Sequence, residues 1–241
     1  MNNNTNMITK LQEWVKETDN IVFFGGAGVS TESGIPDFRS VDGLYNMKYK
    51  FPPEVMLSHT FFVNRTEDFF DFYREKMLYL SAKPNVTHTK LFELETKEKL
   101  KAIVTQNIDG LHTLAGNKNV YELHGSVNRN YCVKCDKFYS VEHIINSKGI
   151  PKCECGGVVK PDVVLYEEGL NEAVMNGALE AISEADVLIV GGTSLNVYPA
   201  AGLINYYKGR KLVLINKSPT GFDSKADIVI SDSLGSIFAQ L

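Results

Sequence analysis

The sequence lacks any long apolar run. None of its 241 residues belongs to a stretch approaching the roughly 18 uncharged apolar residues that a membrane-spanning helix needs. The first twenty residues also contain no apolar segment of the kind that secretory signals carry. We therefore expect a soluble, cytoplasmic protein without a membrane partner.

An excess of basic residues is missing as well. Lys and Arg number 25 against 29 Asp and Glu, which gives a formal net charge of -4, and the basic residues are scattered along the chain. Proteins that bind the phosphate backbone of a nucleic acid concentrate Lys and Arg on one face or in one block. A nucleic-acid partner is therefore not expected.

Cysteine is scarce, and its spacing is informative. The four cysteines form the pairs Cys132-x2-Cys135 and Cys153-x-Cys155, separated by seventeen residues. In a reducing cytosol such pairs are more often metal ligands than disulfides, and the spacing is close to that of a zinc ribbon, although the second pair is tighter. Four thiolates fill a tetrahedral shell, so the sequence predicts one structural zinc ion. Free thiols or a metal-stabilised DNA-binding module would be the alternatives, but the segment has no dense basic stripe.

What the chain does contain is a series of short apolar strand candidates separated by helical patterns. The strand candidates are residues 21–24, 102–105, 186–192, 211–216 and 226–231. Helical spacing of apolar residues is found near the N-terminus (Met7, Ile8, Leu11, Trp14 and Val15), and in 171–184 and 199–208. Continuously apolar strands that alternate with helices indicate an α/β fold, a Rossmann-like parallel sheet with helices on both faces.

Two segments interrupt this alternation and predict a second, smaller domain. Residues 41–85 are rich in aromatic residues and helix formers, and residues 130–157 contain all four cysteines. We predict a discontinuous Rossmann-like domain made of 1–40, 86–129 and 158–241. The helical insertion and the zinc-ribbon module would together form the small domain.

The segment "GGAGVSTESGIPDFRS" (25–40) follows the first strand directly. Gly26 and Gly28 permit a tight turn and a close approach of backbone N–H groups to phosphate. However, Thr31 stands where a G-x-G-x-x-G motif has its third glycine, and no acidic residue closes a second strand about twenty residues later, which disfavours a hydride-transferring dehydrogenase. Pro36 then prevents a helix from starting at once. The pattern alone is compatible with nucleotide binding or with a purely structural turn.

Taken together, several motifs resemble one family. "GAGVSTESGIPDFR", "TQNIDGLH" (105–112), "ELHG" (122–125), the paired cysteines and "GTSLNVYPAA" (192–201) occur in the order found in bacterial-type sirtuins, the NAD-dependent protein-lysine deacylases. The resemblance runs from about Trp14 to the C-terminus. It implies an NAD-dependent protein deacetylase with NAD as co-substrate, one structural Zn²⁺ and acylated-lysine peptides or proteins as partners. Its products would be nicotinamide, deacylated lysine and O-acyl-ADP-ribose.

The resemblance also implies roles for individual residues. His124, Asn107 and Asp109 would be catalytic. After the acyl oxygen attacks ribose C1′ and expels nicotinamide, His124 would act as general base towards a ribose hydroxyl, as an imidazole can at cellular pH. The implied NAD-binding residues are Gly26, Ala27, Gly28, Ser30, Thr31, Asp37, Phe38, Arg39, Gln106, Asn107, Ile108, Asp109, His124, Gly192, Thr193, Ser194 and Asn216.

By themselves, these residue types have simpler explanations. Asn107 and Asp109 could form an Asx turn at a strand end, and a lone histidine is more often structural than catalytic. Small polar residues that follow strands are also common helix caps. Two functional alternatives also remain open: a zinc-ribbon protein that senses NAD without turnover, and a protein ADP-ribosyltransferase that shares the first chemical step.

In sirtuins, segments matching 160–168 and 192–199 clamp the substrate peptide as an added strand. This implies substrate contacts from Val164, Tyr166, Leu195 and Val197. Many sirtuins have glycine where this chain has Glu167, so the local conformation of the clamp is an open point. From the residues alone, Val163 and Val164 are equally well explained as an ordinary core strand.

The acyl group that such a cleft accepts is a further expectation. Sirtuins that prefer succinyl or malonyl lysine carry a Tyr-x-x-Arg pair, and a gapless match places Phe70 and Tyr73 at those two positions. Arg74 is one residue further on and should point away from the channel, since one residue turns a helix by about 100°. We therefore expect acetyl and short neutral acyl groups to be preferred over succinyl.

Overall fold

The computed structural model describes residues 3–38, 43 and 50–241. Its larger sheet has six parallel strands in the order β3-β2-β1-β7-β8-β9. The strands are β1 (Ile21–Gly25), β2 (Leu100–Thr105), β3 (Val120–Glu122), β7 (Val187–Gly191), β8 (Leu212–Ile215) and β9 (Ile228–Ile230). The Rossmann-like fold class predicted from the sequence is confirmed, with β3 added at one edge.

The central strands are apolar throughout because both faces of the sheet are covered. Every residue of β1, β7 and β8 is buried. This continuous burial is the usual state of a parallel sheet between helical layers, and it explains why these strands read as unbroken apolar runs.

The described part of the chain forms nine α-helices. They are α1 (Asn3–Glu17), α2 (Pro53–Met56), α3 (His59–Asn64), α4 (Thr66–Lys76), α5 (Val86–Thr96), α6 (Leu111–Ala115), α7 (Val141–Asn146), α8 (Glu172–Glu184) and α9 (Leu234–Phe238). Apolar side chains of α1, α5 and α9 pack on one face of the sheet, and those of α8 on the other. None of the helices in the described part of the chain is long and apolar enough to cross a bilayer.

One predicted helix differs in type. The segment expected to be helical over 199–208 forms a 3₁₀ helix, Ala200–Tyr206, whose apolar residues pack beside α8. Gly202 lies inside it, and an interior glycine disfavours an extended α-helix. The burial pattern was thus read correctly, but the type of helix was not.

A second sheet of three antiparallel strands lies beside the first. Its strands are β4 (Gly125–Cys132), β5 (Phe138–Tyr139) and β6 (Val159–Val163), in the order β5-β4-β6. A separate apolar cluster joins this sheet to α3, α4 and α7. Strand β4 crosses the boundary expected at 129/130, and β6 lies beyond the one expected at 157/158. The second sheet thus draws residues from both predicted domains, and the domain boundaries stay a prediction.

Candidate active site

A cleft of about 260 Å³ opens at the carboxyl ends of the central parallel strands. From β1 the chain continues to β2 and β3 on one side and returns to β7, β8 and β9 on the other, so β1 and β7 form the topological switch point. Open α/β sheets bind their ligands at such a point. The predicted site residues that line the cleft are Ala27, Ser30, Phe38, Gln106, Asn107, Ile108, Asp109, His124, Val164, Tyr166 and Val197.

The glycines of the first turn are required by packing. A Cβ on Gly28 would lie 2.7 Å from the Cα of Gly192, and one on Gly26 would lie 2.7 Å from the Cβ of Thr193. The backbone N–H of Gly28 also donates to the carbonyl of Gly192 at 2.8 Å. The loops that follow β1 and β7 are therefore held in direct contact at the switch point, where no larger residue fits.

Three polar side chains form a network beside this turn. The hydroxyl of Ser30 donates to Asp109 Oδ2 at 2.6 Å and accepts from Asn107 Nδ2 at 3.1 Å. The backbone N–H of Leu111 donates to the other oxygen of Asp109 at 2.9 Å. Burial raises the pKa of Asp109, and the hydrogen bonds from Ser30 and Leu111 oppose that rise. The network fixes donors and acceptors in the cleft wall before any ligand arrives.

His124 is held in one orientation by the backbone. Its Nδ1 lies 2.9 Å from the carbonyl oxygen of Gln106, which can only accept, so Nδ1 carries the proton in the neutral ring and Nε2 keeps a lone pair. Burial lowers the pKa of His124, partly opposed by the bond to Gln106, so the ring is neutral at pH 7. The arrangement supplies a base at Nε2.

Gly125 explains why a glycine must follow this histidine. Its φ of +76° lies in the left-handed region, and a Cβ there would collide with the carbonyl of Asp162 on β6. The carbonyl of His124 also accepts from the N–H of Val164 at 3.0 Å. Strand β6 therefore holds His124 from one side and Gln106 holds it from the other.

A second polar group adjoins the cleft at the ends of β7 and β8. Gln106 Nε2 donates to Thr193 Oγ1 at 3.0 Å, and the N–H of Thr193 donates to Asn216 Oδ1 at 2.9 Å. The Nδ2 of Asn216 is buried and has no partner among the described residues. A buried amide donor without a partner is costly, and an acceptor on a polar ligand would satisfy it. This edge of the sheet therefore offers an unused hydrogen-bond donor to a polar ligand.

The other predicted site residues take different positions. Thr31 donates its hydroxyl to the carbonyl of Gly28 at 3.0 Å, and Asp37 is partly buried in the loop before Phe38. Ser194 follows Thr193 and, like it, does not line the cleft. Leu195 is buried on the α8 side of the sheet and its side chain does not line the cleft, so a substrate contact through its backbone stays a prediction. Arg39 lies outside the described residues.

The four cysteines meet in the second sheet. Their sulfur atoms all lie within 4.8 Å of one another, with Cys132 and Cys155 at 3.4 Å and Cys135 and Cys153 at 3.6 Å. Four sulfurs at the usual Zn–S distance of about 2.3 Å stand about 3.8 Å apart in a tetrahedron, so the cluster fits a zinc ion. Gly156, at φ +82°, makes the turn directly after the tight pair. A metal-binding geometry for all four predicted ligands is confirmed.

Some residues of the site were not anticipated from the sequence. Lys76, Met77, Tyr79 and Leu80 line the cleft from the end of α4 and the loop that follows. A charged group also lies beside His124: Arg129 binds Glu122 through Nη1 at 2.6 Å and Asp162 through Nε at 2.8 Å. No motif marked Arg129, because its pairing depends on the register shift of β4 against β6 between Ser126 and Asn130.

The predicted orientation of Arg74 is confirmed. Its guanidinium donates to the carbonyls of Ile144 and Gly149, which places it against the cysteine-bearing module. Phe70 and Tyr73 are completely buried. No guanidinium from this part of α4 therefore reaches the cleft.

Comparison with known proteins agrees with this geometry. A chain from Clostridium acetobutylicum named NAD-dependent protein deacetylase is 65% identical over 95% of this chain and 96% of its own length. A second, from Clostridium perfringens and with the same name, is 63% identical over 97% of this chain and 98% of its own.

Solved structures show the same fold with relevant ligands. A Sir2 variant with deacetylated p53 peptide and 3′-O-acetyl-ADP-ribose superposes with a TM-score of 0.90 at 37% identity, covering 97% of this chain and 96% of that one. A Sir2 complex with p53 peptide and NAD⁺ has a TM-score of 0.86 at 36% identity, with the same coverage. The model of the Sir2 family matches residues 26–199, which include the glycine turn, the Ser30–Asn107–Asp109 network, His124 and the four cysteines. This chain belongs to the Sir2 family.

Proposed function

We propose that the protein is an NAD-dependent protein-lysine deacetylase that yields nicotinamide, free lysine and O-acyl-ADP-ribose. The observation that carries this proposal is the imidazole of His124, fixed by Gln106 with its Nε2 lone pair available in a cleft that also contains the Ser30–Asn107–Asp109 network. A protein that only senses NAD needs no such base. The names of the relatives support the same activity.

NAD, when bound, supplies an electrophilic ribose carbon with nicotinamide as its leaving group. Asn107 and Asp109 offer a donor and an acceptor that suit a carboxamide, and Ser30 holds both side chains in place. Gln106, Thr193 and Asn216 extend the polar surface along the sheet edge for the rest of the dinucleotide.

His124 accepts the proton of a ribose hydroxyl at Nε2, while its Nδ1–H stays bound to the carbonyl of Gln106. Because burial keeps the ring neutral at pH 7, the base is ready without prior deprotonation. Val127 and Ile108 are apolar and line the same cleft, where they limit the access of water to the reacting groups.

The substrate would enter between the two segments that carry Val164, Tyr166 and Val197. Sir2 structures with acetylated and propionylated peptides support acyl-lysine peptides as partners. Arg74 is directed elsewhere, and Lys76, which lines the cleft, is ion-paired with Glu75 at 2.7 Å. An acyl carboxylate buried without a free cation is strongly unfavourable, so acetyl and short neutral acyl groups should react much faster than succinyl. Values of kcat/KM for one peptide carrying either group decide this, and a succinyl preference would contradict it.

The zinc ion is structural in this proposal. Cys132, Cys135, Cys153 and Cys155 fill a tetrahedral shell and leave no position for water, so the metal stabilises the small module and takes no part in the chemistry.

The activity can be tested by mass spectrometry of an acetyl-lysine peptide incubated with the protein, with and without NAD. We expect one nicotinamide released for each peptide deacetylated. Deacetylation without NAD would refute the proposal. ADP-ribose attached to protein would identify the transferase, and NAD binding without any product would identify a sensor. Cytoplasmic location and the absence of nucleic-acid and membrane partners stay predictions from the sequence.

A further inference from the structure

One wall of the cleft is fastened to the helical segment of the small domain. The N–H of Tyr166 donates to the carbonyl of Leu57 at 2.9 Å, and the N–H of His59 donates to the carbonyl of Tyr166 at 3.0 Å. Ser58 and Tyr166 thereby form an isolated parallel bridge. Residues 166–168 therefore have a defined position although they lie outside any strand.

Glu167 lies in this wall with an unusual backbone and a firmly held side chain. Its φ is +75°, a left-handed conformation that residues with a Cβ rarely adopt. Its Oε2 accepts from the N–H of Thr60 at 2.8 Å and from the hydroxyl of Thr60 at 2.7 Å. These two bonds to the first turn of α3 offset the backbone strain and fix the carboxylate at the cleft wall.

Glu167 forms no ion pair with Lys or Arg in the described part of the chain, in contrast to its neighbour, and the nearby imidazole of His59 is held by that neighbour. Glu168 binds His59 at 2.9 Å and Lys160 at 3.0 Å. The hydrogen-bond donors to Glu167 are a backbone N–H and a hydroxyl, both neutral, and within the described part of the chain no Lys or Arg nitrogen forms an ion pair with it. The side chain is exposed, so it presents a fixed negative charge to whatever occupies the cleft.

We propose that Glu167 is a specificity-determining residue that favours peptides with a cationic side chain close to the acylated lysine. The inference rests on the proposed function, because that function places the peptide along residues 164–168. An anchored carboxylate attracts Lys or Arg without the entropy cost of ordering a mobile glutamate. Since the charge is exposed and screened by salt, we expect a preference of about 2- to 5-fold.

Glu167→Gln tests the charge by itself, because the amide oxygen still accepts from Thr60. The peptides would be an acetyl-lysine series in which each position from -2 to +2 carries in turn Arg, Ala or Glu. We expect the wild type to show kcat/KM in the order Arg, Ala, Glu for at least one position. The ratio of kcat/KM for the Arg peptide to kcat/KM for the Glu peptide should fall about 2- to 5-fold in Glu167→Gln. It should also fall in the wild type at about 0.5 M salt.

Glu54→Gln is the matched control. Glu54 is an exposed carboxylate on α2 that does not line the cleft, so its loss changes the net charge equally but should leave the ratio unchanged. The inference would be overturned if the kcat/KM ratio of Arg to Glu peptides were the same in the wild type and in Glu167→Gln. It would also be overturned if Glu54→Gln lowered that ratio as much as Glu167→Gln does.

Failure of this inference can be distinguished from failure of the proposed function. Deacetylation that depends on NAD but is indifferent to flanking charge removes only the role of Glu167. If no deacetylation occurs, fluorescence anisotropy of the same labelled peptides still reports whether the Arg variants bind more tightly than the Glu variants, and whether Glu167→Gln abolishes the difference.

Discussion

The cysteine module and the NAD cleft differ in how far apart along the sequence their contacting residues lie. All four thiols come from a 24-residue stretch, as two pairs with one or two residues between partners. In the cleft, Ser30 meets Asp109 across 79 positions and Gln106 meets Thr193 across 87. Sequence spacing alone can place ligands around a metal, whereas the cleft exists only after the parallel sheet has brought distant strand ends together.

The two regions also differ in the interactions that stabilise them. Around the four cysteines, the elements other than β4 are short, with a two-residue strand β5 and a six-residue helix α7. The cleft sits on two apolar clusters, one on each face of the six-stranded sheet. The module should therefore depend on its metal, and the cleft on the packing beneath it.

The largest effect should come from Cys153→Ser, because a structural zinc site contributes folding free energy directly. We expect zinc content to fall from about one ion per chain to well below one, with a clear drop in melting temperature. Tyr139→Phe is the control, since it removes only the hydroxyl that donates to Cys153 Sγ at 3.1 Å. Full zinc content and unchanged stability in Cys153→Ser would show that the tight pair does not bind the metal.

His124→Ala tests the cleft without touching the module. Loss of a general base lowers turnover by about 10²- to 10⁴-fold, while NAD binding and zinc content should stay as in the wild type. Turnover in the mutant comparable to the wild type would assign the base to another residue.

Acid should destabilise the layer behind the cleft, where two buried histidines meet. His88 and His112 are buried with ring centroids 4.7 Å apart, and His112 has no partner for either nitrogen among the described residues. Burial lowers the pKa of His88 to about 4 and that of His112 well below its usual value.

Because these folded-state values lie below the unfolded value, the unfolded chain binds more protons under acid conditions, and stability is lost as the pH falls from about 6.5 towards 4. His88 alone contributes a loss of about 3 kcal/mol over that window. Denaturant unfolding of the wild type and of His112→Phe at pH 6.5 and pH 4 measures the combined loss of stability and the share of it that depends on His112. An equally steep loss in the mutant would show that His112 contributes nothing to the effect.

A smaller effect than that of His124→Ala is expected for Ser30→Ala. It removes one donor to Asp109 and one acceptor for Asn107, and losing hydrogen bonds of this kind costs about 1–2 kcal/mol, or about 5- to 30-fold in kcat/KM for NAD. Ser33→Ala, one turn later in the same loop, is the control. Unchanged kinetics in Ser30→Ala would mean that Asn107 and Asp109 hold their positions without Ser30.

The sequence predictions are accurate where a feature depends on residues close together along the chain, and less accurate where it depends on distant ones. Strands β1, β2, β7, β8 and β9 were found because burial on both faces makes each a continuous apolar run. The segment 199–208 has the apolar spacing of a helix, but spacing does not distinguish α from 3₁₀ hydrogen bonding. The burial of the Leu195 side chain was not visible in the sequence either, because an apolar residue in a strand-end loop can turn towards the core or towards the cleft.

By itself, the sequence determined five of the six strands of the parallel sheet, the four metal ligands and the histidine with its following glycine, because each depends on residue type and on neighbours close along the chain. Only the tertiary structure decided that Arg129 bridges Glu122 and Asp162, that Arg74 faces the cysteine module, and that Glu167 is anchored to Thr60 in the cleft wall. These contacts join segments between 7 and 107 residues apart, and they depend on a shifted strand register and a left-handed backbone angle that side-chain identity does not reveal.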